Sequence, residues 1–181
     1  MKENVKIYLR AAIVLSSIGA VSAGVIGAVN LITKDRIAQN EVNATNKALA
    51  DIYENASFVE DSEFEKQEGV QMDNFKVNLL SRYEAKKEEE LLGFVYKTSG
   101  KNSYGEIVML VGINEQGIGR ISFVSDTQTY GSTLEDEYLY KYNNNKRELD
   151  DVSCGATYGA KLVKDMAKAA ENDYLSRKEG K

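Results

Sequence analysis

Histidine, proline and tryptophan are all missing from this chain of 181 residues, and it has one cysteine, Cys154. Without histidine there is no imidazole base, no histidine-ligated haem and no histidine zinc site. A single thiol forms no intramolecular disulfide and cannot hold an iron–sulfur cluster by itself. Without proline there is no cis-proline turn. Basic charge is also in short supply. The net charge of −5 argues against a nucleic-acid partner, whose phosphates would need a basic surface. The sequence contains no glycine-rich dinucleotide fingerprint, no P-loop and no metal-ligand spacing, so no metal site is expected.

What the chain does have begins at its N-terminus. No charged residue lies between Arg10 and Lys34, and the intervening stretch is mostly Ala, Val, Ile, Leu, Gly and Ser. About 23 residues of helix reach across a bilayer core. Val21-Ser22-Ala23, behind the basic residues Lys2, Lys6 and Arg10, offers the rival reading of a cleaved signal peptide. The apolar run continues past that point through Val25, Ile26, Val29, Leu31 and Ile32, which favours an uncleaved anchor. The domains expected are therefore a leader and transmembrane helix over 1–33 and a second domain over 34–181. Basic residues flank both ends of the span, so the positive-inside rule acts weakly. The expected topology is a single pass through the cell membrane, with the N-terminus cytoplasmic and the domain extracytoplasmic. Ala12, Ser16, Ala20, Gly24 and Ala28 recur at every fourth residue, a register that lets a second helix approach closely within lipid. The plainer reading is that small residues are common in membrane helices.

Beyond the span the fold class expected is α+β. Ala38, Val42, Thr45, Leu49, Ile52 and Ala56 step at helical spacing. Residues 60–69 read as an acidic loop, 75–79 as a strand, and the charge run 82–90 as a solvated loop or helical turn. Apolar runs at 92–98, 106–113 and 118–125, separated by turn residues, predict an antiparallel meander. An aromatic-rich helix is expected over 134–142. A final amphipathic helix is expected over 156–174, with Leu162, Val163, Met166, Ala167, Ala170 and Tyr174 on one face.

The densest segment for chemistry is Asp151-Val152-Ser153-Cys154-Gly155-Ala156-Thr157, where a loop becomes that last helix. A helix start presents free N–H groups and partial positive charge, which suit a phosphate, and Thr157 adds a hydroxyl. The bland alternative is a capped helix start, with Asp151 or Ser153 as the cap and Gly155 easing the turn.

This segment resembles the flavinylation motif of the FMN-binding subunits of Rnf electron-transport complexes and Na⁺-translocating NADH:quinone reductases. That motif runs Asp, two variable residues, Ser or Thr, Gly, Ala, Thr. Asp151, Gly155, Ala156 and Thr157 match, and Cys154 stands where Ser or Thr is usual. Gly159 stands where the family often has another Thr or Ser. Val29-Asn30-Leu31-Ile32-Thr33, Gly93-Phe94-Val95-Tyr96 and the run 107–113 are similar to the family's entry segment and sheet. The family's Glu-Thr-Pro-Gly-Leu-Gly loop corresponds to residues 128–133, where Thr129 and Gly131 survive.

The resemblance implies FMN joined to Thr157 by a phosphodiester, installed by a flavin transferase that uses FAD and Mg²⁺. Asp151, Ser153, Cys154, Gly155, Ala156, Thr129 and Gly131 would line the cofactor. Tyr104, Tyr130 or Tyr158 is a candidate to stack on its ring, the plainer reading being that a tyrosine is core or surface filler. It further implies an electron-relay subunit of an ion-translocating ferredoxin:NAD oxidoreductase, carrying electrons without a catalytic residue of its own. Its partners would be the membrane subunits of that redox complex and the lipid bilayer. The alternatives are a stand-alone anchored flavoprotein for extracytoplasmic electron transfer, or a flavin-free membrane assembly protein.

Overall fold

The computed structural model describes residues 2–145, 148–152 and 154–179. It divides into two compact units, Met1–Asn43 and Ala44–Lys181.

The first unit lies within helix α1, Lys2–Ile52. This helix is long and apolar enough to cross a membrane, with a mean hydropathy of 2.1 in its apolar window. Two of its hydroxyls fold back on the helix itself. Ser17 Oγ donates to the Ile13 carbonyl at 2.8 Å, and Thr33 Oγ1 to the Val29 carbonyl at 2.9 Å, so neither needs water.

The second unit is an antiparallel sheet of six strands with helices: β1 Ser57–Glu60, β2 Gln67–Gln71, β3 Lys76–Lys87, β4 Glu90–Asn102, β5 Gly105–Asn114 and β6 Gly117–Asp126. The strand order is β1-β3-β4-β5-β6, and β2 pairs with the start of β3 beside β1. The short helix α2, Gly131–Thr133, leads into a π-helix, Leu134–Leu139, then α3, Tyr140–Asn145, and finally α4, Thr157–Glu179. The class is α+β, as the residue pattern predicts, and the meander and last helix fall where the apolar runs place them.

Two expectations fail. Residues 60–69 do not form one loop, because β1 ends and β2 begins inside that stretch. The charge run 82–90 is not a solvated loop but the second half of β3, a tight turn at Glu88 and Glu89, and the start of β4. The reason lies in the partners. Arg82 pairs with Asp61 in the loop between β1 and β2, and its guanidinium lies 5.0 Å from the Phe94 ring centroid. Ala85, in the middle of the run, is fully buried. Charged heads on a strand can stay at the surface while their stems cover apolar neighbours.

Strand β5 is apolar on both sides because both faces of the sheet are covered. Ile107, Met109, Val111 and Ile113 share a core with Leu162, Val163, Met166 and Ala170 of α4. Leu110 and Val95 point the other way, toward Ala48, Leu49 and Ile52 of α1. Two carboxylates fasten α4 to the strands beneath it. Asp165 accepts from the backbone N–H groups of Asn74 and Phe75, each at 2.8 Å. Asp173 accepts from Gln67 Nε2 at 2.6 Å, Tyr96 Oη at 3.1 Å and Arg177 Nε at 2.7 Å.

Burial, with the Asp173 carboxylate beside it, pushes the Tyr96 phenol from its ordinary 10.0 up to about 12. A raised phenol favours the neutral form in the folded state. Its contribution is whole below pH 10 and is lost as pH rises through about 12. Unfolding free energies from urea titrations across that window should therefore fall, by on the order of 2 kcal/mol from this group. Tyr96→Phe should flatten the dependence.

Candidate functional site

Helix α4 opens at Thr157, and its first turn borders a cleft of about 180 Å³. The lining comes from three separated stretches. Gly155, Ala156, Thr157, Tyr158 and Gly159 form the helix entry, Tyr104 comes from the turn joining β4 to β5, and Gln128 and Tyr130 come from the loop after β6. None of these side chains is charged. An anion here would therefore meet the helix-start N–H groups and neutral donors, not a basic side chain.

The turn and the loop are joined by main-chain bonds. The Thr129 N–H donates to the Tyr104 carbonyl at 3.1 Å, and the Thr127 N–H to the Glu106 carbonyl at 2.9 Å. Two glycines permit close approaches here. Gly105 has φ of +146°, and a Cβ there would lie 2.5 Å from the Thr127 carbonyl oxygen, so no side chain fits between turn and loop. Gly159 is close-packed for a different reason. A Cβ on it would lie 2.8 Å from both Gln128 Oε1 and Leu134 Cδ2. The loop is pressed onto the first turn of α4, which explains glycine at a position where the resembling motif often carries a hydroxyl residue. Both neighbours are side-chain ends, so Gly159→Ala should swing the Gln128 amide and the Leu134 methyls aside, with a change in denaturant midpoint worth less than about 1 kcal/mol.

The hydrogen-bond balance of the loop is unfinished. Asp126 Oδ1 accepts from the Gln128 N–H at 2.8 Å, but Asp126 Oδ2 and Gln128 Nε2 are buried with no partner among the described residues. Burial pushes the Asp126 carboxyl above its ordinary range, and the Gln128 N–H offsets part of that rise. Gln128 Nε2 is a buried donor on a cleft-lining side chain, and such groups are normally satisfied.

The residues expected at the site divide as follows. Thr157 is exposed, and its Oγ1 makes one long bond, 3.4 Å to the Cys154 carbonyl. Gly155 is exposed and Ala156 buried, and both line the cleft. Cys154 is a half-buried free thiol packed against the core, and its N–H donates to the Val152 carbonyl at 2.7 Å. Asp151 is half-buried in the preceding turn, its N–H bonded to the Glu148 carbonyl at 3.0 Å. Ser153 lies outside the described residues. Thr129 and Gly131 shape the loop, while their neighbours Gln128 and Tyr130 face the cleft. Residue reasoning passed over Gln128, because an amide in a loop has no periodicity to mark it.

Tyr104, Tyr130 and Tyr158, each named from the sequence as a candidate to stack on a flavin, lie together. The Tyr104 ring centroid is 6.0 Å from that of Tyr130 and 5.8 Å from that of Tyr158.

No curated protein matches the chain. Residues 1–52 match the family model described as the RnfG N-terminal region. Over those 52 residues the chain is similar to that family's N-terminal region.

Proposed function

We propose that this chain is a membrane-anchored electron-relay subunit of an Rnf-type redox complex, carrying electrons on FMN linked covalently to Thr157. The observation that carries the reading is the position of the Thr157 hydroxyl, exposed at the start of α4 beside an uncharged cleft with an unpaired buried amide. The family match over residues 1–52 supports the setting, a multisubunit membrane complex.

The Thr157 hydroxyl is the acceptor in this reading. Its oxygen becomes the bridging atom of the phosphodiester and its proton is lost, with AMP as leaving group when FAD is the donor. The N–H groups of the first turn of α4 would hold the phosphate oxygens, and the helix dipole would favour their charge. Gln128 Nε2 supplies a further donor from the loop. FMN when bound supplies the redox chemistry, taking up one or two electrons, while the protein binds and orients it. The anchor keeps this domain at the bilayer, on the extracytoplasmic side, where the transferase and the other membrane subunits would meet it.

Peptide mass spectrometry on protein made with an active flavin transferase tests this reading. The FMN mass is expected on the peptide that contains Thr157. An unmodified Thr157 peptide from such a host would count against it.

A further inference from the structure

We propose that Tyr104, Tyr130 and Tyr158, which line the Thr157 cleft, form an aromatic cradle at its mouth, and that the isoalloxazine ring of the tethered flavin lies against their exposed faces. The inference rests on the flavin reading above and extends it to the ring.

Size separates the two ends of the cofactor. Sites that enclose a drug-sized ligand run to about 300–1,000 Å³. The cleft beside Thr157 is about 180 Å³. It has room for a phosphate and part of its ribityl stalk, so the ring must lie beyond its mouth.

What surrounds the mouth is aromatic. Tyr104, Tyr130 and Tyr158 are 43%, 53% and 57% exposed. They come from a strand turn, a loop and a helix, and they converge on Tyr104, tilted from its ring plane by 59° and 49°. By contrast Tyr96 and Tyr138 of this domain are buried and bonded, to Asp173 and to the Leu149 carbonyl. Three exposed rings gathered at one cleft leave apolar faces in water that a planar aromatic ligand would cover. Gly105 lets the Tyr104 turn and the loop that carries Tyr130 approach backbone to backbone, and Tyr158 meets the Tyr104 ring from α4, so the cradle is formed before a ring arrives.

The test uses the loaded full-length protein. A phenol ring in contact with an excited flavin donates an electron to it and quenches its emission. Intact mass first establishes that FMN is attached. Native flavin emission is then compared with that of the same sample after unfolding. Wild type is expected to be quenched in the native state and to brighten on unfolding. Tyr104→Leu and Tyr130→Leu should each raise the emitting, unstacked fraction roughly two- to tenfold and weaken the visible circular dichroism of the ring. Tyr104→Phe should brighten the flavin yet keep the dichroism, because phenyl stacks but is hard to oxidise. Tyr140→Leu, an exposed tyrosine outside the cleft, should change neither.

A loaded wild-type protein as bright when native as when unfolded, or leucine variants as quenched as wild type, would overturn the cradle alone. A protein without the FMN mass would overturn the flavin reading and the cradle with it.

Discussion

Thr157→Val is expected to give a folded domain that carries no covalent flavin. Valine nearly matches threonine in volume, and the position is exposed, so packing is unaffected. The hydroxyl makes one 3.4 Å bond to the Cys154 carbonyl, at the long limit of a hydrogen bond, and losing it should cost no more than about 0.5 kcal/mol. The effect on attachment is all-or-none by comparison, because the methyl group that replaces the hydroxyl has no oxygen to form the ester. Intact mass and in-gel fluorescence under denaturing conditions read the attachment, and a thermal melt reads the fold. Thr157→Ser should keep part of the loading, since an oxygen remains. A helix-capping role makes a contrasting prediction of about 1 kcal/mol of lost stability with the flavin still in place.

The largest effect on stability is expected at Asp165. This carboxylate is 1% exposed and faces the turn between β2 and β3. It accepts from the backbone N–H groups of Asn74 and Phe75 at 2.8 Å and from Asn74 Nδ2 at 3.2 Å. Asp165→Ala removes the acceptor and leaves the donors facing a small apolar void. Hydrogen bonds to a charged group and the desolvation of stranded donors together suggest about 3–5 kcal/mol. Against the roughly 5–15 kcal/mol that holds a typical domain together, that is a large share. Chemical denaturation should show a lower midpoint at unchanged slope. Asp165→Asn keeps one carbonyl oxygen for the turn and should fall between the two. A loss below about 1 kcal/mol would mean that water replaces the carboxylate by opening the turn.

Parts of this architecture were readable because periodicity reports burial. Leu162, Val163, Met166, Ala167 and Ala170 mark the face of α4 that meets the sheet, and the uniformly apolar β5 marks a strand covered on both sides. The half of β3 from Arg82 to Lys87 was illegible for the converse reason. Its charges are held by partners that no periodicity marks: Asp61, in the loop after β1, for Arg82, and Glu84 of the same strand for Lys86. At the site, Thr157 stood out through its motif, and its place at the helix start was readable from the residues that follow. The approach of Gln128 to Gly159 was not. Neither residue type implies the other, and only the return of the chain after β6 brings the loop onto α4. The gathering of Tyr104, Tyr130 and Tyr158 depends on the same return.

The order of the strands and α4 along the chain has a consequence for biosynthesis. All six strands precede Thr157 on the ribosome, and the cleft needs the β4–β5 turn, the loop after β6 and the first turn of α4 together. A nascent or misfolded chain offers a threonine but not its surroundings. On the proposed reading, a flavin transferase that recognises this assembled surface would modify only a domain whose sheet had already closed beneath α4, and an attached flavin would double as a record of successful folding.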